Sequence, residues 1–274
     1  MRRSRVVAHM QKREPVLFYG MALNDPSVWE LASLIGLDCL WLDLEHHAHS
    51  METANQLMRA ARVGTSDVIA RPAKGEWMRM MRLLEAGAQG ILYPRCDGAE
   101  EAREVVRWCK FAPLGERGMD GGNPDMPYCT MDIADYVAMA NRETFVIAQL
   151  ESEKAVLAAE EIMSVDGIDG VMLGPADFTV LSGIPGQFDH PRIQEALDHI
   201  ARAAANTGKH WGTVAGTPEK VGQLQNAGAT LFFSGADIIA VKLALEKVKN
   251  DLTPFGFQFP NSLGEAKSYL QLNE

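Results

Sequence analysis

The 274-residue sequence holds only four cysteines and no long apolar run, and each shortage removes a class of protein. Cys39, Cys96, Cys109 and Cys129 form no C-x-x-C pair, which leaves no zinc ribbon and no thioredoxin-like motif. The basic opening Met1-Arg2-Arg3-Ser4-Arg5 is not followed by the apolar stretch of a secretory signal, so a disulfide framework is not expected. No uninterrupted apolar segment is long enough to span a bilayer. With 26 Lys and Arg against 36 Asp and Glu, the net charge is −10, and no basic stripe offsets it, which argues against nucleic acid as a partner. The first β-rich run leads into Gly20-Met21-Ala22-Leu23-Asn24 and lacks the G-x-G-x-x-G of a dinucleotide loop. What is present is an ordinary globular composition, 47% hydrophobic and 23% charged, in a chain expected to be cytoplasmic.

Short β-rich runs alternate with amphipathic helical patterns along the whole chain. The strand candidates are 16–19, 39–43, 68–71, 90–94, 144–150, 170–173, 210–214 and 230–234. Between them the helical spacing of three and four covers 26–35, 51–62, 76–84, 99–110, 154–162, 191–206 and 218–227. Asp25-Pro26 and Thr217-Pro218 read as a cap followed by a first helical turn. Gly87 and Gly228, in Glu85-Ala86-Gly87-Ala88 and Asn226-Ala227-Gly228-Ala229, read as left-handed caps where helix turns into strand. Eight strands separated by helices predict a closed (β/α)8 barrel of the α/β class rather than an open sheet. The expectation is one domain over 1–274, with its core at about 15–250 and a C-terminal tail at 251–274. The Gly/Pro-rich segment 113–130 is too long for a plain connector and reads as functional or partly mobile. Phe255, Phe257 and Phe259 stand at strand-like spacing in the tail, ready to dock on another subunit or on their own barrel.

Barrel chemistry sits at the C-terminal ends of strands. Those ends hold Asp43, Glu45 and His46 after strand two, Arg71 after three, Arg95 after four, Gln149 and Glu151 at five, and Asp177 beyond six. Strands seven and eight end in Thr213 and Ser234. Any one of these has a bland reading: Asp43 as a rim acceptor, Arg71 as a neutralising charge, His46, His47 and His49 as a polar loop. A His, an Arg and several acids converging on one rim point instead to a catalytic site. Glu151 and Asp177, without a nearby Cys or second His-rich strand end, suit a hard divalent cation that keeps waters, Mg²⁺ or Mn²⁺. Open positions on such a cation accept a bidentate 2-keto acid. The Gly174-Pro175-Ala176-Asp177 turn offers backbone amides to a carboxylate where a helix begins. Arg71 is positioned to hold a developing enolate, and His46, oriented by Asp43, is the candidate proton carrier. Lys74, Lys110, Lys154, Lys209 and Lys220 all fall in helices, loops or on the opposite rim, which disfavours a Schiff base. Two other readings remain open. Ser234-Gly235-Ala236-Asp237 occupies the usual barrel phosphate position, although Asp237 would repel a phosphate, and a non-catalytic binding barrel is the third choice.

The chain resembles the metal-dependent HpcH/HpaI aldolases. The matching stretches are Leu42-Asp43-Leu44-Glu45-His46, Ala70-Arg71-Pro72, Ala88-Gln89-Gly90-Ile91-Leu92-Tyr93-Pro94, Gln149-Leu150-Glu151 and the run from Gly167 to Gly174-Pro175-Ala176-Asp177. They lie in order across roughly residues 15 to 248. The resemblance implies a phosphoenolpyruvate/pyruvate-type TIM barrel that reversibly cleaves a 4-hydroxy-2-keto acid to pyruvate and an aldehyde. It implies Glu151 and Asp177 as metal ligands, for Mg²⁺ or Mn²⁺ with Co²⁺ as a further choice. It implies Arg71 on the keto or enolate oxygen, His46 as catalytic histidine partnered by Asp43, and Gln149 lining the pyruvate pocket. The substrate carboxylate would meet Gly174 and Pro175 and the amides of Ala176 and Asp177. A homo-oligomer, in the family a hexamer with an exchanged C-terminal helix, is also implied. A relative that reaches the same enolate from oxaloacetate, as macrophomate synthase does, is the alternative. The chain departs from the family at Arg95-Cys96, where a small or apolar pair is usual, and in Ala112-Pro113-Leu114-Gly115-Glu116-Arg117-Gly118. Arg95 at the pocket edge would favour an acidic or phosphorylated acceptor unless Asp120 neutralises it.

Overall fold

Eight parallel strands close into a barrel in chain order, each paired with its sequence neighbours and β8 with β1. The strands are β1 (Val16–Met21), β2 (Cys39–Asp43), β3 (Asp67–Arg71), β4 (Gly90–Tyr93), β5 (Phe145–Leu150), β6 (Gly170–Leu173), β7 (His210–Val214) and β8 (Leu231–Ala236). The helices are α1 (Arg5–Gln11), α2 (Pro26–Ile35), α3 (Met51–Ala61), α4 (Trp77–Ala86), α5 (Ala99–Cys109), α6 (Ile133–Glu143), α7 (Glu153–Leu157), α8 (Ala159–Met163), α9 (Pro175–Leu181), α10 (Pro191–Thr207), α11 (Pro218–Asn226) and α12 (Asp237–Leu252). The computed structural model describes residues 2–263. The expected (β/α)8 TIM-type barrel is the architecture found.

Local chemistry explains the punctuation. The Asp25 carboxylate accepts from the Ser27 amide and the Thr217 hydroxyl from the Lys220 amide, each capping a helix whose first residue is proline. Gly87 and Gly228 carry positive φ of 121° and 88° at the turns into β4 and β8, as the glycine positions predict. Inside the barrel, Phe18 stacks on Phe233 with ring centroids 4.5 Å apart, and Phe145, Ile69, Leu92, Ile147 and Met172 fill the same core. Val6 and Met10 of α1 join this core. They close the N-terminal end, where the Ser4 hydroxyl and the Val6 amide both donate to Asp67 Oδ2, at 2.6 and 2.9 Å. A second apolar layer lies between the strands and the outer helices. With the interior packed and the bottom sealed, a small molecule can enter only at the C-terminal mouth.

Four helices, α1, α6, α9 and α12, are additional to the sequence expectation, and the helix expected at 154–162 is two short ones meeting at Ala158. The segment 113–130 is packed. Arg117 Nη2 donates to Asp125 Oδ2 at 2.9 Å and to the Tyr136 hydroxyl at 3.2 Å, with its guanidinium 4.7 Å over the Phe111 ring. In α12 only Asp237 is buried, while Ile238, Val241, Leu243, Leu245 and Val248 face outward. Phe255 lies in a 3-10 turn rather than a strand, and the exposed Phe257 stacks on Phe259. The polar end expected after these phenylalanines falls largely outside the described residues.

Candidate active site

Parallel pairing of β2 with β3 sets Asp43 in register with Arg71, so two opposite charges end adjacent strands side by side. The carboxylate takes a two-pronged grip: Arg71 Nε donates to Oδ1 at 2.9 Å and Nη2 to Oδ2 at 2.8 Å. Both side chains are buried. Burial alone would raise the Asp43 pKa, but the hydrogen bonds and charge of Arg71 outweigh it and hold the carboxyl below its ordinary range. The remaining Arg71 nitrogen, Nη1, donates to Gln149 Oε1 at 3.2 Å, and the face of the guanidinium lies 4.7 Å from the Trp41 ring.

Gln149 passes this chain on. Its Nε2 donates to Glu151 Oε1 at 2.8 Å, while the Arg95 amide donates to Glu151 Oε2 at 2.9 Å. Burial first, and the charge of Asp177 second, push the Glu151 pKa up to about 7 against the pull of Arg71. Gly174 leaves the room this arrangement needs, because a Cβ there would stand 2.6 Å from Glu151 Oε1 and 2.7 Å from Gln149 Nε2. Asp177 sits in the first turn of α9, and the Arg95 guanidinium reaches it at 3.7 Å. Two carboxylates at neighbouring strand ends, one of them destabilised as an anion by burial and by the other, make a fitting seat for a divalent cation. The donors are all oxygen, which suits a hard ion. No group of three or more His, Cys, Asp or Glu able to hold a metal occurs among the described residues, so the other ligands would be water or substrate.

His46 is placed otherwise than expected. Its backbone amide lies 3.4 Å from Asp43 Oδ1, but its exposed ring has Nε2 3.7 Å from Glu45 Oε2. Asp43 is committed to Arg71, so the carboxylate beside the His46 ring is Glu45, which also stands 3.3 Å from Arg71 Nε. Burial raises the pKa of Glu45, partly offset by Arg71, and its Oε2 has no hydrogen-bond donor among the described residues. His47 and His49 pack edge to face outside the cavity lining, in keeping with a loop role. Arg95 pairs with Asp177 and not with Asp120, which is turned into its own loop by Asn123. Thr213 is spent on the Leu173 carbonyl at 3.0 Å. Asp237 accepts from the amides of Ala22, Leu23 and Ile238, which leaves a carboxylate where the phosphate reading needs donors.

A cavity of about 370 Å³ opens over these groups, lined by Trp41, His46, Arg71, Gln149, Glu151, Met172, Gly174, Pro175, Ala176, Asp177, Phe188 and Val214. Of the residues picked out in the sequence, all but Asp43 and Arg95 line it: Asp43 backs Arg71 and Arg95 stands at the edge. Trp41, Met172, Phe188 and Val214 were not foreseen. Trp41 was readable, since it lies two residues before Asp43 on the same strand and so on the same face. Phe188 comes from the connection between α9 and α10, where no periodic pattern exists to mark it. No helix of the described residues is long and apolar enough to cross a membrane.

The family described as HpcH/HpaI aldolase/citrate lyase matches residues 16–242. A 2-keto-3-deoxy-L-rhamnonate aldolase from Escherichia coli is 32% identical over 218 residues, covering 80% of this chain and 81% of the relative. Among solved structures, an HpcH/HpaI aldolase from Desulfitobacterium hafniense superimposes with a TM-score of 0.83 at 30% identity, over 93% of this chain and 98% of that one. Macrophomate synthase shares the fold, with a TM-score of 0.79 at 24% identity over 92% of this chain and 91% of its own.

Proposed function

This chain belongs to the HpcH/HpaI aldolase/citrate lyase family, a family of carbon–carbon lyases, and from that premise we propose a divalent-metal-dependent aldolase that reversibly cleaves a 4-hydroxy-2-keto acid to pyruvate and an aldehyde. The observation that carries the reading is the unbroken polar chain Asp43–Arg71–Gln149–Glu151, laid across three strand ends beneath a cavity of small-molecule size. It couples a locked guanidinium to a carboxylate poised to accept a cation.

In this mechanism Glu151 and Asp177 hold the cation, Mg²⁺ or Mn²⁺ with Co²⁺ as a further choice. The bound ion supplies Lewis-acid polarisation of the keto group. The first-turn amides of α9, at Ala176 and Asp177, have no partners within the helix and receive the substrate carboxylate, with Gly174 and Pro175 forming the wall beside it. Arg71 cannot swing, because Asp43 grips it from behind, so its charge is already aimed where negative charge gathers on the keto oxygen. As the 4-hydroxyl loses its proton, the C3–C4 bond breaks, the aldehyde leaves and the bonding electrons pass into the enolate. Protonation at C3 then gives pyruvate. His46, exposed at the mouth beside Glu45, is placed to exchange these protons with water. Loss of carbon dioxide from oxaloacetate would reach the same enolate and is the second reaction to assay.

We read residues 1–274 as one barrel domain acting in the cytoplasm on a 2-keto acid and an aldehyde. We also take it to work as a homo-oligomer, a hexamer, with the C-terminal extension exchanged between subunits. The outward apolar residues of α12 and the exposed Phe255 and Phe257 support this. Light scattering at the mass of one chain would remove the oligomer from the proposal. For the reaction, Glu151→Ala and Asp177→Ala should each abolish metal-dependent retro-aldol turnover while far-ultraviolet circular dichroism stays unchanged. Turnover retained in both variants would refute the metal assignment.

A further inference from the structure

Arg95 follows β4 at a φ of 50°, in the left-handed region that suits Gly or Asn and disfavours a long side chain. Both of its backbone contacts are fixed: its amide donates to Glu151 Oε2 at 2.9 Å, and its carbonyl accepts from Lys74 Nζ at 2.6 Å. Glycine or asparagine would serve that turn at least as well, so the guanidinium requires a separate account. The side chain is 48% exposed, and among the described residues it makes no hydrogen bond. Asp177 Oδ1, 3.7 Å away, is too far for one, and an exposed pair of this kind contributes little to stability.

The other cations on this side of the mouth are occupied. Arg71 is held by Asp43, and Lys74 Nζ lies 2.8 Å from Asp97 and 3.2 Å from Glu101. The mouth itself carries Asp43, Glu45, Glu151 and Asp177 on a chain of net charge −10, a field that turns anionic molecules away unless a local cation offsets it. The floor of the cavity is closed by the packed barrel interior, so a molecule whose carbonyl carbon lies at the enolate must direct its far end to the rim, where Arg95 stands beside Asp177.

Resting on the aldolase reading above, we propose that Arg95 selects an acceptor aldehyde that carries a second, anionic group remote from its carbonyl, a carboxylate or a phosphate. A guanidinium pairs with either through two parallel N–H bonds. Once a cation shares the charge of Asp177, the guanidinium loses its weak protein partner and is free for the acceptor.

The test compares aldehydes matched in chain length, with pyruvate and Mg²⁺ or Mn²⁺: butanal against succinic semialdehyde, and glyceraldehyde against glyceraldehyde 3-phosphate. The wild type should favour the charged member of one pair by about tenfold in kcat/KM, mainly through KM, and the pair that responds identifies the anion. Arg95→Asn, which suits the left-handed turn, should erase the preference, and Arg95→Lys should restore part of it. Equal use of both members of both pairs overturns the proposal, and so does an intact preference in Arg95→Asn. If Arg95→Asn does not fold, the wild-type comparison decides alone. Pyruvate C3 exchange without any aldehyde runs beside it: no exchange overturns the aldolase reading and this proposal together, whereas exchange without charge preference overturns this proposal only.

Discussion

Arg71 is held by Asp43 across the β2–β3 register, Nε on Oδ1 at 2.9 Å and Nη2 on Oδ2 at 2.8 Å, with both side chains buried. Removing the carboxylate would leave a buried guanidinium with weaker partners. Asp43→Ala is therefore expected to cost about 3–5 kcal/mol of stability. With Arg71 no longer aimed, kcat should fall by about a hundredfold or more in whatever variant still folds. The Asp43 pKa is depressed in the folded state, so its stabilisation is present above the ordinary carboxylate pKa and is lost as pH falls through the folded value. Chemical denaturation of the variant and the wild type across the acid range checks both statements. A variant as stable as the wild type would show that the pair does not hold Arg71.

Glu151 binds its proton up to about pH 7, against an ordinary value of 4.5, because it is buried and stands near Asp177. A raised carboxyl pKa stabilises the fold below the unfolded value and loses that contribution as pH rises through the folded one, a swing of roughly 3 kcal/mol. A divalent cation must displace the same proton, so its benefit runs the other way. The gain in melting temperature on adding Mg²⁺ or Mn²⁺ should be larger at about pH 8 than at about pH 5.5. Glu151→Gln should flatten the metal-free profile and abolish the gain. An equal gain at both pH values would contradict the assignment of Glu151 as ligand.

Gly174 has an ordinary negative φ of −89°, so its role is space and not backbone freedom. Gly174→Ala would drive a methyl against Glu151 Oε1 and Gln149 Nε2, which the packed strand ends cannot yield without moving the carboxylate. The expected cost is about 1–3 kcal/mol in stability. Activity should suffer far more, by about a hundredfold, because a displacement of about 1 Å in a positioned group is enough to do so. Metal titration calorimetry on the variant should show weakened binding. Unchanged affinity would mean that Glu151 is not confined by this contact.

The eight strands were legible from their β-branched runs, with ends within two residues of those observed, because each is bounded by Gly, Pro or a polar cluster. The helices that escaped notice lack a one-sided apolar stripe. In α1 only Val6 and Met10 are buried over seven residues, and α12 carries apolar residues that bury nothing within the chain. The site was legible as a set of strand-end residues and less so as a set of pairs. Three residues of separation suggest that Asp43 serves His46, but a parallel register places Arg71 one strand spacing away, and the buried opposite charge wins. Arg95 meets Asp177 rather than Asp120 for the same reason: barrel closure, invisible in local spacing, brings the end of β4 toward the start of α9.

The central claim is that this mouth forms and stabilises a pyruvate enolate with the help of a divalent cation. Exchange of the pyruvate C3 protons in deuterated buffer, followed by NMR with and without Mg²⁺ or Mn²⁺, tests it before any aldehyde is chosen. The account predicts exchange that requires the metal and is lost in Glu151→Ala. No exchange with either metal, or exchange indifferent to metal and to Glu151, would contradict it.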